Sequence, residues 1–320
     1  MTSRAVLDSY YPCKRDFEIA VPFTPWRDAY PLLGFTMKTF LILILGCAVV
    51  HADQIRDFWF SGAEISSFEL SQSRYGENHP GHAELIFVTE PFLIDKQVKD
   101  ESGSNPPAGS STDVLKLNAL TTFNTGFYSY RTMTSTFRPI DLEKFPHALK
   151  STTSIQDWCG QTFQQSNFRN SEWQIELRSY FEKQADQDLT LPETYLEEEI
   201  WVTLRLDPKK LPVGDIQMIP SAIFTRYHHQ PIKAVEAKAS LDFKGKTATY
   251  TIVYPSLDRA LSIGFDTSFP HIVRTWSEKT SSGTTKAVLK KRLMNVNYWN
   301  MNGSDDAVKR KELGLDPVAN

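Results

Sequence analysis

Apolar and polar positions alternate with a period of two through most of the chain beyond residue 60, the signature of half-buried β-strands. Trp173, Ile175, Leu177, Ser179 and Phe181 point one way, and Glu172, Gln174, Glu176 and Arg178 the other. Leu115, Leu117, Ala119 and Phe123 form a second such face against Lys116 and Asn118. Ala248, Tyr250, Ile252 and Tyr254 alternate with threonines, whose branched Cβ suits a pleated backbone. Val235, Ala237, Ala239 and Leu241 make a further face, as do Ala287, Leu289 and Leu293 against Lys286, Lys290 and Arg292. Between Ala63/Ile65 and Phe68/Leu70 the register slips by one near Ser66-Ser67, which predicts a bulge.

Further strands are expected near 82–90, 130–137, 147–157, 215–224 and 270–278. Turn-type separators stand at Gly76-Glu77-Asn78-His79-Pro80-Gly81, Lys244-Gly245-Lys246 and Ser281-Ser282-Gly283. Hairpin-like spacing of short strands predicts antiparallel pairing. One helix breaks the pattern at about 192–205. Pro192 suits its first turn, Leu196, Ile200 and Leu204 recur every four residues, and Glu193, Glu197, Glu198 and Glu199 gather at its N-terminal end. Asp207-Pro208 ends it. A short C-terminal helix is expected from Ser304 through Lys309-Arg310-Lys311 to Gly314. Lys99 to Asp113 is Gly/Ser/Pro-rich and reads as a flexible loop. The expected fold is mainly β: an antiparallel curved sheet, open barrel or sandwich with one packed helix, as a single domain over 53–320. Two β lobes joined at 190–213 are the alternative.

The longest apolar run, Phe40 to Val50, has eleven residues, too short for the about 20 that span a bilayer. It fits the core of a secretory signal, with Lys38 before it. Val50-His51-Ala52 fits a cleavage site, with Ala52 the last residue removed. Ile44-Leu45-Gly46-Cys47 also resembles a bacterial lipobox, in which Cys47 would be lipid-modified. Met37-Lys38-Thr39 is a natural start for such a signal, so 37–52 reads as a signal peptide. Residues 1–36 read as an upstream extension, non-native or disordered.

The chain has 320 residues, 41% of them hydrophobic, enough to bury a core. Thirty-five basic residues against 38 acidic exclude a basic field for nucleic acid. Without residues 1–52, 30 basic and 34 acidic residues remain, a net charge of −4. Of the three cysteines, Cys13 and Cys47 lie in the leader region and Cys159 stands alone, so no disulfide scaffold is expected.

Candidate chemistry is sparse. Cys159, in Trp158-Cys159-Gly160-Gln161, is the candidate nucleophile; it needs a base, and His147, His228, His229 and His271 are distant in sequence. A small buried hydrophobe is the commoner fate of a lone cysteine. Adjacent His228 and His229 would point to opposite faces of a strand. His79 and His82 could meet across a turn, but two ligands do not close a zinc site. Glu69, Glu77, Glu84 and Glu90 are available as paired carboxylates. No Walker loop, dinucleotide fingerprint or Gly-x-Ser-x-Gly occurs, so neither cofactor nor metal is expected. A concave sheet lined by the plentiful aromatics, Trp59, Trp158, Trp173, Trp201, Trp276 and Trp299 among them, would suit an apolar ligand.

From Trp59 to Leu315 the chain resembles a family of uncharacterised exported bacterial β-rich proteins. The stretches that carry the resemblance are Gly62 to Leu70, Arg74-Tyr75-Gly76-Glu77, Leu85 to Phe92, Gln156-Asp157-Trp158-Cys159-Gly160-Gln161, Tyr254 to Arg259 and Tyr298-Trp299-Asn300. Members often carry the label "septum formation inhibitor Maf". True Maf proteins are cytoplasmic α/β nucleotide pyrophosphatases that open with a strand followed by Ser-x-Arg-Arg, a motif missing after residue 52. The resemblance implies a periplasmic or lipid-anchored cell-envelope protein. The expected role is binding or carrying a lipid or other apolar ligand, or engaging an envelope protein. A hydrolase using Cys159 or carboxylates is the alternative. A Maf-type pyrophosphatase is the least favoured.

Overall fold

The computed structural model describes residue 55 and residues 57–101 and 107–315. Nine strands come first: β1 (Ala63–Arg74), β2 (Glu77–Leu93), β3 (Val98–Lys99), β4 (Ser111–Thr125), β5 (Tyr128–Pro139), β6 (Lys150–Asp157), β7 (Gly160–Arg169), β8 (Glu172–Ser179) and β9 (Gln187–Pro192). β10 (Tyr195–Leu196) runs directly into helix α1 (Glu197–Leu206), and β11 (Gly214–Ile219) is followed by α2 (Ala222–Tyr227). Then come β12 (Val235–Lys244), β13 (Thr247–Tyr254), β14 (Arg259–Asp266), β15 (Val273–Thr280), β16 (Gly283–Val296) and the short α3 (Val308–Glu312).

All 16 strands belong to one sheet, ordered β10-β11-β12-β13-β14-β15-β16-β1-β2-β4-β5-β6-β7-β8-β9, with β3 paired to β2. Every pairing is antiparallel except β10–β11. The mainly β, antiparallel, curved fold expected from the alternation is the fold observed. The two edge strands, β9 and β10, are consecutive in sequence yet not paired with each other. Pro192 and Tyr195 are three residues apart, within about 11 Å even when extended. The sheet therefore curls until its edges nearly meet and stays open. Thr194 ties the gap: its carbonyl accepts from Trp173 Nε1 at 2.8 Å, and its hydroxyl donates to Gln217 O at 2.7 Å.

The interior has two halves. Around β11–β16, β1, β2 and β4 it is apolar, and Phe68, Leu85, Leu117, Tyr250, Ile263 and Phe265 are buried in one cluster with Ile200, Val202 and Leu204 of α1. Along β5–β7 the inward positions are polar instead: Thr132, Thr134, Thr136, Thr153, Thr162, Gln164 and Ser166 are all buried. Thr134 and Thr153 hydroxyls meet at 3.0 Å across β5 and β6.

Several boundaries differ from the sequence reading. α1 starts at Glu197, not near 192, because Pro192 closes β9 opposite Glu172 on an edge, where a missing N–H is harmless. The span 215–224 is not one strand: Pro220 interrupts it, and Ser221 caps α2 by accepting from Phe224 N–H at 3.2 Å. The turn expected over 76–81 shrinks to Tyr75-Gly76, both at positive φ (55° and 81°), and β2 begins at Glu77. Lys99 pairs with Phe92 and β4 opens at Ser111, so the ordered strands reach into the expected 99–113 loop; residues 102–106 lie outside the described residues. The slip near Ser66-Ser67 has an unexpected origin. β1 pairs with β2 in unbroken register from Glu64↔Phe87 to Arg74↔Glu77. The shift lies in β16, where Ser67↔Lys291 is followed by Phe68↔Leu289 and Lys290 is the extra residue. β1 reads as slipped because both its faces are covered: Phe68 and Leu70 face the main core, while Ile65 packs outside with Val296, Leu313 and Leu315.

Candidate functional site

Cys159 sits exposed in the β6–β7 turn, not in a core. Its backbone N–H donates to Asp157 Oδ1 at 2.7 Å. Its thiol makes no hydrogen bond to a histidine among the described residues. Cys47 and Ala52 lie outside the described residues. His79 bonds the Arg74 carbonyl, at 3.1 Å. His82 lies on the opposite side of β2, beside Glu84 at 3.5 Å. His228 stacks on Phe224, and burial lowers its proton affinity. Among the described residues no group of three or more His, Cys, Asp or Glu could hold a metal ion. Of the four glutamates, Glu90 pairs with Lys116 at 2.5 Å, Glu69 and Glu77 are exposed, and Glu84 stands in the groove described next.

A space of about 980 Å³ lies on the outer face of the sheet. It matches the upper end of the roughly 300–1,000 Å³ typical of small-molecule sites. Ile65, Ile86, Leu120, Met133 and Leu293 form the apolar part of its floor. Leu293 reaches this face because the bulge at Lys290 reverses the alternation of β16. The C-terminal segment forms the other wall, with Tyr298, Met301, Leu313 and Leu315. That segment is anchored: Ser67 Oγ donates to the Leu313 carbonyl and Lys290 Nζ to the Gly314 carbonyl at 2.9 Å. Gly314 adopts φ +67°, and the backbone N–H of Leu315 closes on the Arg310 carbonyl at 2.9 Å, so the glycine ends the helix as its sequence position predicts. His82, Glu84, Arg131, Asp306, Lys309 and Arg310 add charged or titratable groups to the lining, beside uncharged polar ones such as Thr122 and Gln156. Burial raises the Glu84 carboxyl to about 7, against the pull of Arg310.

The concave interior is mostly filled by α1. Its first three residues are glutamates, all buried, and each binds a different element. Glu197 receives both terminal nitrogens of Arg259 and the Tyr254 hydroxyl at 2.5 Å. Glu198 accepts from Ala222 N–H at 2.8 Å. Glu199 accepts from Leu196 N–H, contacts His147 Nδ1 at 2.9 Å and pairs with Arg138 at 3.3 Å. At the far end Arg205 forms a bidentate pair with Glu64. Beside the helix a chamber of about 140 Å³ remains. The sequence reading expects an apolar ligand inside the curved sheet; among the described residues the inner chamber is about 140 Å³, too small for a lipid, and the lipid-sized space is the outer groove of about 980 Å³. The groove escaped that reading because it needs β2, β5 and β16 brought under a C-terminal segment more than 150 residues away from two of them.

No protein-family model matches the sequence, and no curated protein matches it. A crystal structure of a beta-barrel-like protein of domain of unknown function DUF1849, from Brucella abortus, is similar at a TM-score of 0.43 and 9% identity, over 74% of this chain and 99% of that one.

Proposed function

We propose that this chain is an exported cell-envelope binding module whose outer groove takes a lipid or another elongated apolar molecule. The observation that carries the proposal is the groove itself: about 980 Å³, with Ile65, Ile86, Leu120, Met133 and Leu293 on the sheet side and Tyr298, Met301, Leu313 and Leu315 on the C-terminal side, and with His82, Glu84, Arg131, Asp306, Lys309 and Arg310 as its charged or titratable groups. An apolar body with one polar end fits that division. The signal-like run Phe40–Val50 and the resemblance to exported β-rich proteins support placing it in the envelope.

The test is titration of the purified full chain with a fluorescent fatty acid, against a Met133→Glu variant. Met133 is 37% exposed on the groove floor, so the substitution leaves the core intact. Saturable binding that falls at least tenfold in the variant, with unchanged thermal unfolding, is expected. Binding that is absent, or indifferent to the variant, would refute the proposal.

A further inference from the structure

The inner chamber is a separate space from the groove. It lies between α1, α2 and strands β1, β2, β4, β5 and β14–β16, and its volume is about 140 Å³. A dry apolar cavity of about 150 Å³ takes up benzene, so the chamber holds a molecule of one ring or an equivalent short chain. Much of its wall is apolar, with Leu85, Leu117 and Leu261 beside the edge-to-face pair Trp201–Trp276, whose ring centroids are 5.5 Å apart.

Its charges are unequal. Glu197, Glu198 and Glu278 line it against one guanidinium, Arg259. Arg259 is already committed, bidentate to Glu197 and through Nε to Glu278 at 2.5 Å. Glu198 is left with the Ala222 N–H on one oxygen, and its Oε2, buried, has no hydrogen-bond partner. The Thr132 and Tyr227 hydroxyls, on residues that line the same chamber, are likewise buried and unpartnered. Buried polar groups without partners are costly and uncommon. Of these three, the ionised Glu198 carboxylate oxygen can only accept, so it is the one that calls for a donor. A rim cavity of about 160 Å³ adjoins the chamber and shares Gln72, Tyr227, Glu278 and Thr285 with it. The Gln72 Nε2–Thr285 Oγ1 hydrogen bond, 2.9 Å, stands at that junction.

We infer that the chamber binds a small organic amine in its ammonium form, with Glu198 as the acceptor and the tryptophan pair around the apolar body. The excess of carboxylates selects the cation, and aromatic faces add to that preference. An isosteric hydrocarbon lacks the donor, and a carboxylate is repelled.

Benzylamine, toluene and benzoate titrated calorimetrically into the full chain test this. One benzylamine per chain is expected, at least tenfold tighter than toluene, with no benzoate uptake. Glu198→Gln erases the advantage of benzylamine over toluene. Ala119→Leu, which fills the chamber, abolishes uptake of both while the thermal transition stays cooperative. The inference is overturned if benzylamine binds no better than toluene, if Glu198→Gln leaves its advantage intact, or if neither molecule binds.

Discussion

Arg205 of α1 and Glu64 of β1 meet in a bidentate pair, Nη1–Oε1 at 2.9 Å and Nη2–Oε2 at 2.7 Å, each side chain 1% exposed. The guanidinium also donates through Nε to the Pro270 carbonyl at 2.8 Å and lies over the Phe87 ring at 4.3 Å. One end of the interior helix is thereby fixed to the strand at the middle of the sheet.

Removing one partner strands a buried charge, and the cost of that is about 3–5 kcal/mol. Glu64→Gln is expected to lower unfolding stability by that order in urea titrations. Glu64→Leu combined with Arg205→Met should recover most of the loss, because two desolvated charges disappear together. A double variant no more stable than the worse single one would show that the pair does more than balance charge.

Stability should fall as pH rises from about 4.5 to 7. Burial raises both Glu84 and Glu198 to about 7 from an ordinary value of 4.5. In that window the folded chain holds protons that the unfolded chain has released, so the folded state loses ground with each step upward. Each group accounts for at most about 3 kcal/mol. His228 and His229, both lowered by burial, act with the opposite sign below 6.5, and Glu197, lowered by Arg259, protects only above its own titration. The difference between wild type and variant isolates the two glutamates: Glu84→Gln and Glu198→Gln should each flatten the slope between pH 5 and 7 and stabilise the chain at pH 8.

The same carboxyl makes groove binding sensitive to pH. Well above 7 Glu84 places a charge beside His82 and near Arg310 in the groove; well below 7 it is largely neutral. An uncharged lipid analogue is expected to bind more tightly at pH 6 than at pH 8. Glu84→Gln should hold the tighter value at both, as read by fluorescence titration.

Cys159 is exposed and lines neither cavity. Cys159→Ser should change stability by less than about 0.5 kcal/mol and leave lipid and amine binding unchanged. The native chain should react with a thiol reagent at the rate of an open surface cysteine. Loss of either binding activity in this variant would give the residue a role that its surroundings do not suggest.

What the sequence makes legible follows from how burial is distributed. Ala248, Tyr250, Ile252 and Tyr254 are all buried as their alternation predicts, and so are Trp173, Ile175 and Leu177. β7 went unread because its buried positions are Thr162, Gln164 and Ser166, which carry no hydropathy contrast. β14, by contrast, alternates in burial without a break, with Leu261, Ile263 and Phe265 inward. α1 is the sharper lesson. Glu197, Glu198 and Glu199 look like a solvated acidic first turn, and the structure buries all three because their partners, Arg259, Ala222 and Arg138 with His147, arrive from remote strands and loops. Local sequence carries no mark of such partners. Nor does it show that Lys290 bulges and sends Leu293 outward to build the groove floor.

Hydrogen–deuterium exchange of the full chain, with and without a saturating fatty acid, addresses the binding role most directly. Slower exchange concentrated in residues 298–315 and in the facing parts of β2 and β5 is the predicted result. Protection that is missing there, or that appears only at the Arg74–His228 rim, would contradict it.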